Sequence, residues 1–254
     1  MSNKSLKTMV KKNWTDSSQK YSNAVREELH SFKRHVWLDI IRENGGGKKP
    51  MRVLDVGTGP GFFAVLLALE GHSVTAIDCT SAMIEEAKKN AALENASIDF
   101  RVADTHATGF EDECFDMIVS RNVAWTLIDA EKAYKEWHRI LRVEGVLLIF
   151  DANWNLRLFQ EDVMREYEQS LEDYKQLFHE EAPGYTQEEL DYRRSMPMCR
   201  RLRPQWDITA LEEAGFKTVL CDTGIWQRVY NEKEKVRYRT SPMFMLTARK
   251  YAYV

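Results

Sequence analysis

The chain has 254 residues, 44% apolar and 30% charged, enough for one large α/β domain with a substantial core. Its 36 Lys and Arg stand against 39 Asp and Glu, a net charge of −3 that lacks the strong basic excess of a general nucleic-acid binder. No apolar run approaches the roughly 20 residues that span a membrane, and the four cysteines (Cys79, Cys114, Cys199 and Cys221) form no CxxC pair, which argues against a zinc site.

The first residues, Met1 to Lys12, are polar and lysine-rich without an apolar core, so they read as no signal peptide. A cytoplasmic protein with reduced thiols is the expectation. Residues 1–44 are expected to be mostly helical: Val25, Leu29, Phe32, Val36 and Ile40 recur at spacings of three and four and mark one helix face. Asn44-Gly45-Gly46-Gly47 stops that helix and is read as a hinge. The domain reading is thus an N-terminal helical cap, 1–47, followed by a main domain, 48–254.

From Met51 strands and helices alternate. Strands are expected at 51–56, 73–78, 98–103, 115–120 and 146–150. Helices are expected at 62–69, at 82–93 with Ser81 as N-cap, and at 130–141. Strands separated by single helices predict a parallel, doubly wound sheet. After Asp151 the pattern changes. Residues 155–180 form one amphipathic stretch with Phe159, Val163, Tyr167, Leu171, Tyr174 and Phe178 near one stripe, and a charged loop rich in Pro and Met runs to Pro204. A helix is expected at 208–214, closed by Gly215, with strands at 216–221 and 243–249. The segment 153–205 reads as an insertion that caps the substrate side.

The chemistry is concentrated in Val53-Leu54-Asp55-Val56-Gly57-Thr58-Gly59-Pro60-Gly61. The segment ends a strand and opens a helix. Glycines there allow a tight turn and close ligand approach, and the helix beyond presents free N–H groups. A dinucleotide fingerprint, G-x-G-x-x-G, fails because Phe62 stands where the third glycine falls. Asp55 would also repel a pyrophosphate, whereas it suits the cationic end of a zwitterion.

The pattern D-x-G-x-G-x-G resembles motif I of class I S-adenosylmethionine (SAM)-dependent methyltransferases, and the likeness runs from Met51 to about Phe150. It implies a Rossmann-like, doubly wound seven-stranded sheet, mostly parallel with an antiparallel last strand, carrying a helical cap. It implies SAM as cofactor and S-adenosylhomocysteine (SAH) as product. The methionine moiety is expected over Asp55, Gly57, Thr58, Gly59 and Gly61. Asp78 is expected to accept from the ribose diol, Cys79 to touch the adenine edge, Met83 to pack near the adenine, and Asp104, between Ala103 and Thr105, to accept from the adenine amino group. Phe115 to Arg121 resembles the fourth-strand motif, whose C-terminal backbone receives the SAM ammonium. Leu141-Arg142-Val143-Glu144-Gly145 occupies a family turn but lacks its proline and one glycine.

The reaction implied is in-line displacement at the sulfonium methyl, in which the protein aligns the nucleophile and excludes water. The broad group resembled is that of ubiquinone-biosynthesis-like small-molecule enzymes. The Asx-Pro-Pro-aromatic motif of amino-methylases is missing after the fourth strand, where Ser120-Arg121-Asn122-Val123 stands. The acids of the metal-dependent catechol type are met only in part by Asp151 and Asn153, and no metal is expected. The substrate chamber is expected above the carboxyl ends of the strands. Trp14, Trp125, Asn153 and Trp154 are candidates for its walls, and Tyr21 and His106 for catalysis. Arg193, Arg194, Arg200, Arg201 and Arg203 form a solvated basic face or recognise a carboxylate or phosphate. The partner expected is a small-molecule methyl acceptor, with neither membrane nor nucleic acid. The rival readings are an RNA or protein methylase and a SAM-binding module without catalysis.

Overall fold

The computed structural model describes residues 3–45 and 50–252. Among them, seven strands form one sheet in the order β3-β2-β1-β4-β5-β7-β6. The strands are β1 (Arg52–Val56), β2 (Ser73–Asp78), β3 (Asp99–Val102), β4 (Phe115–Arg121), β5 (Leu141–Asp151), β6 (Lys217–Asp222) and β7 (Phe244–Arg249). The first five pair in parallel, and β7 runs antiparallel between β5 and β6. This is the doubly wound sheet with one reversed strand that the sequence pattern and the resemblance pointed to.

The central strands are apolar on both faces because helices cover both. Their period of two divides the core: Val53, Met117, Val119, Leu148 and Phe150 face one layer, and Leu54, Val56, Ile118, Leu147 and Ile149 the other. The first layer packs α2 (Lys33–Asn44) and α3 (Phe62–Leu69), with Trp37, Phe63 and Phe150 meeting edge to face at centroid distances of 5.0–5.4 Å. The second packs α5 (Ala130–Ile140) through Ala133, Tyr134, Trp137 and Ile140.

Several local expectations change. The N-terminal helical region is two helices, α1 (Asn3–Leu29) and α2, separated at residues 30–32. The helical register is lost there, and Phe32 is 50% exposed while Leu29 and Ile40 are buried. Of the expected hinge, Gly46 and Gly47 lie outside the described residues. The N-cap of α4 (Ser81–Leu93) is Thr80, whose hydroxyl accepts from Met83 N, and not Ser81. Strand β5 begins at Leu141, with Glu144 at φ 62° in an irregular stretch of the β4–β5 ladder.

The 153–205 region is more ordered than a loop. It holds α6 (Glu161–Phe178) and α7 (Gln187–Ser195), the latter opened by a capping box in which Thr186 and Glu189 bond reciprocally. After it come α8 (Gln205–Glu213) and, between β6 and β7, α9 (Trp226–Val229) and α10 (Glu232–Arg237). Arg203, in the stretch expected as a solvated face or an anion site, is only 2% exposed. It pairs with Asp207 at 2.7 Å and with Asp151, at the end of β5, at 3.1 Å. The Tyr134 hydroxyl donates to Asp207 at 2.5 Å. Burial works against the charge of this guanidinium, but the two carboxylates outweigh it and hold its pKa above the ordinary value. Arg203 is thus a structural cation that ties the end of the capping segment to the sheet.

Candidate functional site

A cavity of about 420 Å³ opens at the carboxyl ends of β1, β2, β3 and β4 and is roofed by α1, at the low end of the range of roughly 300–1,000 Å³ for small-molecule sites. Open parallel sheets leave such a crevice where crossovers diverge on opposite faces, here between β1 and β4.

The β1–α3 turn forms its floor. Gly57, at φ +65°, packs so tightly that a Cβ would lie 2.4 Å from Val123 Cγ2, whereas a Cβ on Gly59, at φ +51°, would meet nothing within 4 Å. The first glycine is therefore required by packing, and the second leaves room for a ligand. Gly61 lines no part of the cavity; a Cβ there would sit 3.2 Å from Ala87 Cβ, so its role is the approach of α3 to α4.

Three acids stand at successive strand ends. One carboxylate oxygen of Asp55 accepts from Thr58 Oγ1 at 2.6 Å and from Ala64 N at 3.0 Å, capping α3, and burial pushes its pKa up to about 6. Asp78 accepts from Gly59 N at 3.2 Å and from Thr80 N at 2.9 Å, and burial raises its pKa as well. Asp104 behaves differently. Burial opposes its charge, but Lys7 at 2.7 Å and His106 outweigh burial and hold it below the usual carboxylate range. Cys79, Met83, Ala103 and Thr105 complete this side of the wall, and burial pushes the Cys79 thiol up to about 12, so it stays a neutral apolar surface.

Arg121, at the end of β4, lines the cavity but is already engaged. It makes a bidentate pair with Glu28 of α1 at 2.6 and 2.9 Å and lies 4.3 Å from the Phe62 ring centroid. Its side chain therefore anchors α1 over the sheet.

The two candidate catalytic residues both line the cavity. His106 has both ring nitrogens engaged, Nδ1 with Asp104 at 2.7 Å and Nε2 with Asp129 N at 3.4 Å. Its remaining lone pair faces a backbone N–H, so this geometry does not offer the free base that the sequence reading expected. Tyr21 is 40% exposed and lines the cavity. Burial raises its phenol pKa against the opposing charges of Arg121 and Arg193, which favours a neutral hydrogen-bonding group over a phenolate.

Of the candidate wall residues, Trp14 lines the cavity, and its ring meets Tyr21 at 5.4 Å and Trp125 at 6.0 Å. Trp125, Asn153 and Trp154 lie instead around a narrow crevice beside Arg203. Asn153 bonds the Arg203 carbonyl, and Trp154 Nε1 donates to Asp151 at 2.8 Å. Their polar groups are thus spent on fixing the cap.

Residues 54–149 match the methyltransferase domain family. This segment of the chain is thus similar to the methyltransferase domain. It is 27% identical over 133 residues to the ubiquinone biosynthesis O-methyltransferase of Bartonella tribocorum, which covers 50% of this chain and 54% of the relative. It is 31% identical over 160 residues to the demethylmenaquinone methyltransferase of Staphylococcus aureus, covering 59% of this chain and 63% of the relative. The chain thus spans little more than half the length of the B. tribocorum relative and under two thirds of the S. aureus one. Among solved structures, Haemonchus contortus phosphoethanolamine N-methyltransferase 2 superposes with a TM-score of 0.62 at 15% identity, over 94% of this chain and 59% of that one, a likeness of fold.

The cavity fits SAM in three respects. Gly59 leaves a void that a side chain would fill, Asp55 and Asp78 are acids at the floor and the adjoining strand end, and the buried Thr105 Oγ1 and Asn122 Oδ1 of lining residues have no hydrogen-bond partner among the described residues. Sequence reading missed Lys4, Lys7, Lys11 and Asn122. The three lysines recur at helical spacing on one face of α1, a signal present in the sequence. Asn122 sits at φ 60°, a conformation asparagine tolerates, directly after β4, and only the fold brings it to the cavity.

Proposed function

We propose that this protein transfers the methyl group of SAM to a small-molecule N, O or S nucleophile. The observation that carries the reading is the cavity at the strand ends, in which the open face of Gly59 and the acids Asp55 and Asp78 lie under a helical roof. When bound, SAM supplies an electrophilic methyl on a sulfonium with a neutral thioether as leaving group. Asp55 and the backbone at Arg121 hold the cationic methionine end, Asp78 accepts from the ribose hydroxyls, and Thr105, Met83 and Cys79 bound the adenine.

Asp104 can accept from the adenine amino group only by sharing its carboxylate with Lys7 and His106. That sharing couples cofactor binding to the position of α1. Tyr21 and Trp14 close the chamber from α1, excluding water, and Tyr21 orients the nucleophile through its neutral hydroxyl. Catalysis by alignment needs no strong base where the acceptor is unprotonated at working pH. The quinone-pathway names of the relatives and the small interior volume favour a small acceptor over a macromolecule.

Calorimetric titration with SAM and SAH tests the reading. Micromolar binding of both, followed by transfer of labelled methyl to an amine, thiol or phenol, is expected. Absence of binding to either sinks it.

A further inference from the structure

Two arginines of the cap, Arg157 buried and Arg193 half-buried, make no ion pair with a carboxylate among the described residues. Arg157 is 7% exposed, yet among the described residues it forms no ion pair; its guanidinium donates to the Trp154 carbonyl and lies 4.2 Å from the Tyr167 ring centroid. Arg193, on α7, donates to Asn155 Oδ1 at 3.2 Å and lies 4.1 Å from the Tyr185 ring, and its buried Nε has no hydrogen-bond partner among the described residues. Tyr185 joins the two, since Arg157 lies 5.4 Å from the same ring.

The charges that act on Arg157 make the shortage plain. Burial pushes its pKa down, and the positive charges of Arg193 and Arg237 push it further in that direction. The carboxylate nearest in effect to Arg193 is Glu189, which feels its charge but is bonded by the backbone N–H and hydroxyl of Thr186 in the capping box. A guanidinium stays protonated in proteins, so burying Arg157 against the charge of Arg193 with no carboxylate in ion-pair contact is unfavourable in the ligand-free chain. The buried Arg203 shows the ordinary solution in this same protein, with two carboxylates around one guanidinium.

The pair also has a definite relation to the methyl-transfer site. Arg193 lies 5.2 Å from the Trp125 ring, Trp125 packs on Trp14, and Trp14 packs on Tyr21 at the cavity. Tyr21 feels Arg121 from the cofactor side and Arg193 from the cap side.

We propose that Arg157 and Arg193, bridged by Tyr185, form an anion subsite that holds a phosphate or carboxylate group of the methyl acceptor. The inference rests on the methyltransferase reading and deepens it: the acceptor is a small anionic molecule whose nucleophile reaches the sulfonium past Tyr21 while its charged end stays on α7. The forked donors of arginine suit either oxyanion, and the two sources separate by experiment.

The test uses the full chain loaded with SAH and follows melting temperature and calorimetric heat on titration with inorganic phosphate and, separately, malonate. Stabilisation by at least one of them is expected; the stronger response assigns the phosphoryl or the carboxylate class. In Arg157→Met and Arg193→Met that response falls roughly tenfold or more, while SAH affinity stays within about twofold. The ligand-free melting temperature of Arg157→Met is unchanged or raised, because a buried cation without an ion pair has been removed.

Loss of SAH binding in the wild type would defeat the methyltransferase reading itself. With SAH bound normally, failure of both anions to bind overturns the subsite alone. So does an undiminished response in the methionine variants, or a lowered melting temperature with anion affinity intact, which marks the arginines as structural. Should Arg193→Met not fold, Arg193→Lys keeps the charge but loses the fork, and wild-type anion affinity in that variant overturns the proposal equally.

Discussion

The strand-end floor of the cavity and the cap above it are built on opposite principles. On the floor most bonds join near neighbours in sequence: Asp55 bonds Thr58 and Ala64, Asp78 bonds Thr80 as well as Gly59, and the β1–α3 turn completes the nine-residue motif Val53–Gly61. The cap is held by pairs far apart in the chain. Lys7 reaches Asp104, Glu28 reaches Arg121, Asn90 links Ser22 and Pro60, and Arg203 joins Asp151. The first kind of region carries its geometry in a local pattern, and the second carries it only in the finished fold.

The contrast is sharpest where the cap meets the sheet. Arg203→Met leaves Asp151 and Asp207 buried beside each other with no cation. We expect a loss of about 3–5 kcal/mol, read as a lower denaturation midpoint at unchanged slope. A loss below about 1 kcal/mol would show that the cap does not depend on this network. On the floor, two glycines of one motif are expected to separate. Gly57→Ala forces a Cβ into Val123 at positive φ and costs about 2–4 kcal/mol by overpacking and strain. Gly59→Ala meets no atom and costs about 1 kcal/mol through its φ alone, yet fills the space assigned to SAM. Thermal melts and SAM titrations of the pair should therefore rank in opposite order, and the same rank in both assays would remove Gly59 from the site.

Legibility in the sequence follows the same division. The sheet, the floor acids and the glycine turn were readable because strand periodicity and the motif are short-range signals. The Ser81 cap failed by one residue because Thr80 and Ser81 are equally able caps and only the backbone at Thr80 selects between them. The break at residues 30–32 was hidden by an apolar spacing that continues across it through Phe32. Asn153 and Trp154 were placed on the wall for following β5, but in the fold their polar groups turn toward Arg203 and Asp151. A basic stretch in sequence likewise cannot tell Arg203, which is neutralised by two acids, from Arg193, which is not. That distinction depends on carboxylates supplied by β5 and α8.

Asp55 tests whether the floor is arranged for a ligand rather than for stability. Its folded pKa, raised to about 6 against an ordinary 3.8, means that the protonated form suits the empty fold. The stability this group contributes is full below the unfolded value and is lost as pH rises through about 6. Asp55→Asn keeps an oxygen for Thr58 and Ala64, so in the ligand-free chain it should gain up to about 3 kcal/mol above pH 7 and nothing near pH 4. It should bind SAM more weakly throughout. A pH-independent difference between the two proteins would contradict the assignment of burial as the cause. Tyr21→Phe separates roles at the roof: turnover should fall about tenfold, near 1.4 kcal/mol of barrier, with SAM affinity within about twofold. Wild-type turnover would remove the hydroxyl from the reaction.

Lys7→Ala is the mildest change and bears most directly on how roof and floor communicate. The Lys7–Asp104 pair is half exposed on both sides, so its removal should cost less than about 1 kcal/mol of stability. Asp104 then loses its nearest cation and is free to face the adenine, while α1 loses a tether at the mouth of the cavity. Equilibrium affinity for SAM should change by no more than about threefold, since these effects oppose each other, but both association and dissociation should quicken because the roof opens more readily. Stopped-flow binding separates rate from affinity. Rates unchanged in the variant would mean that Glu28–Arg121 alone holds α1 in place, and that Lys7 belongs to the rim rather than to the latch.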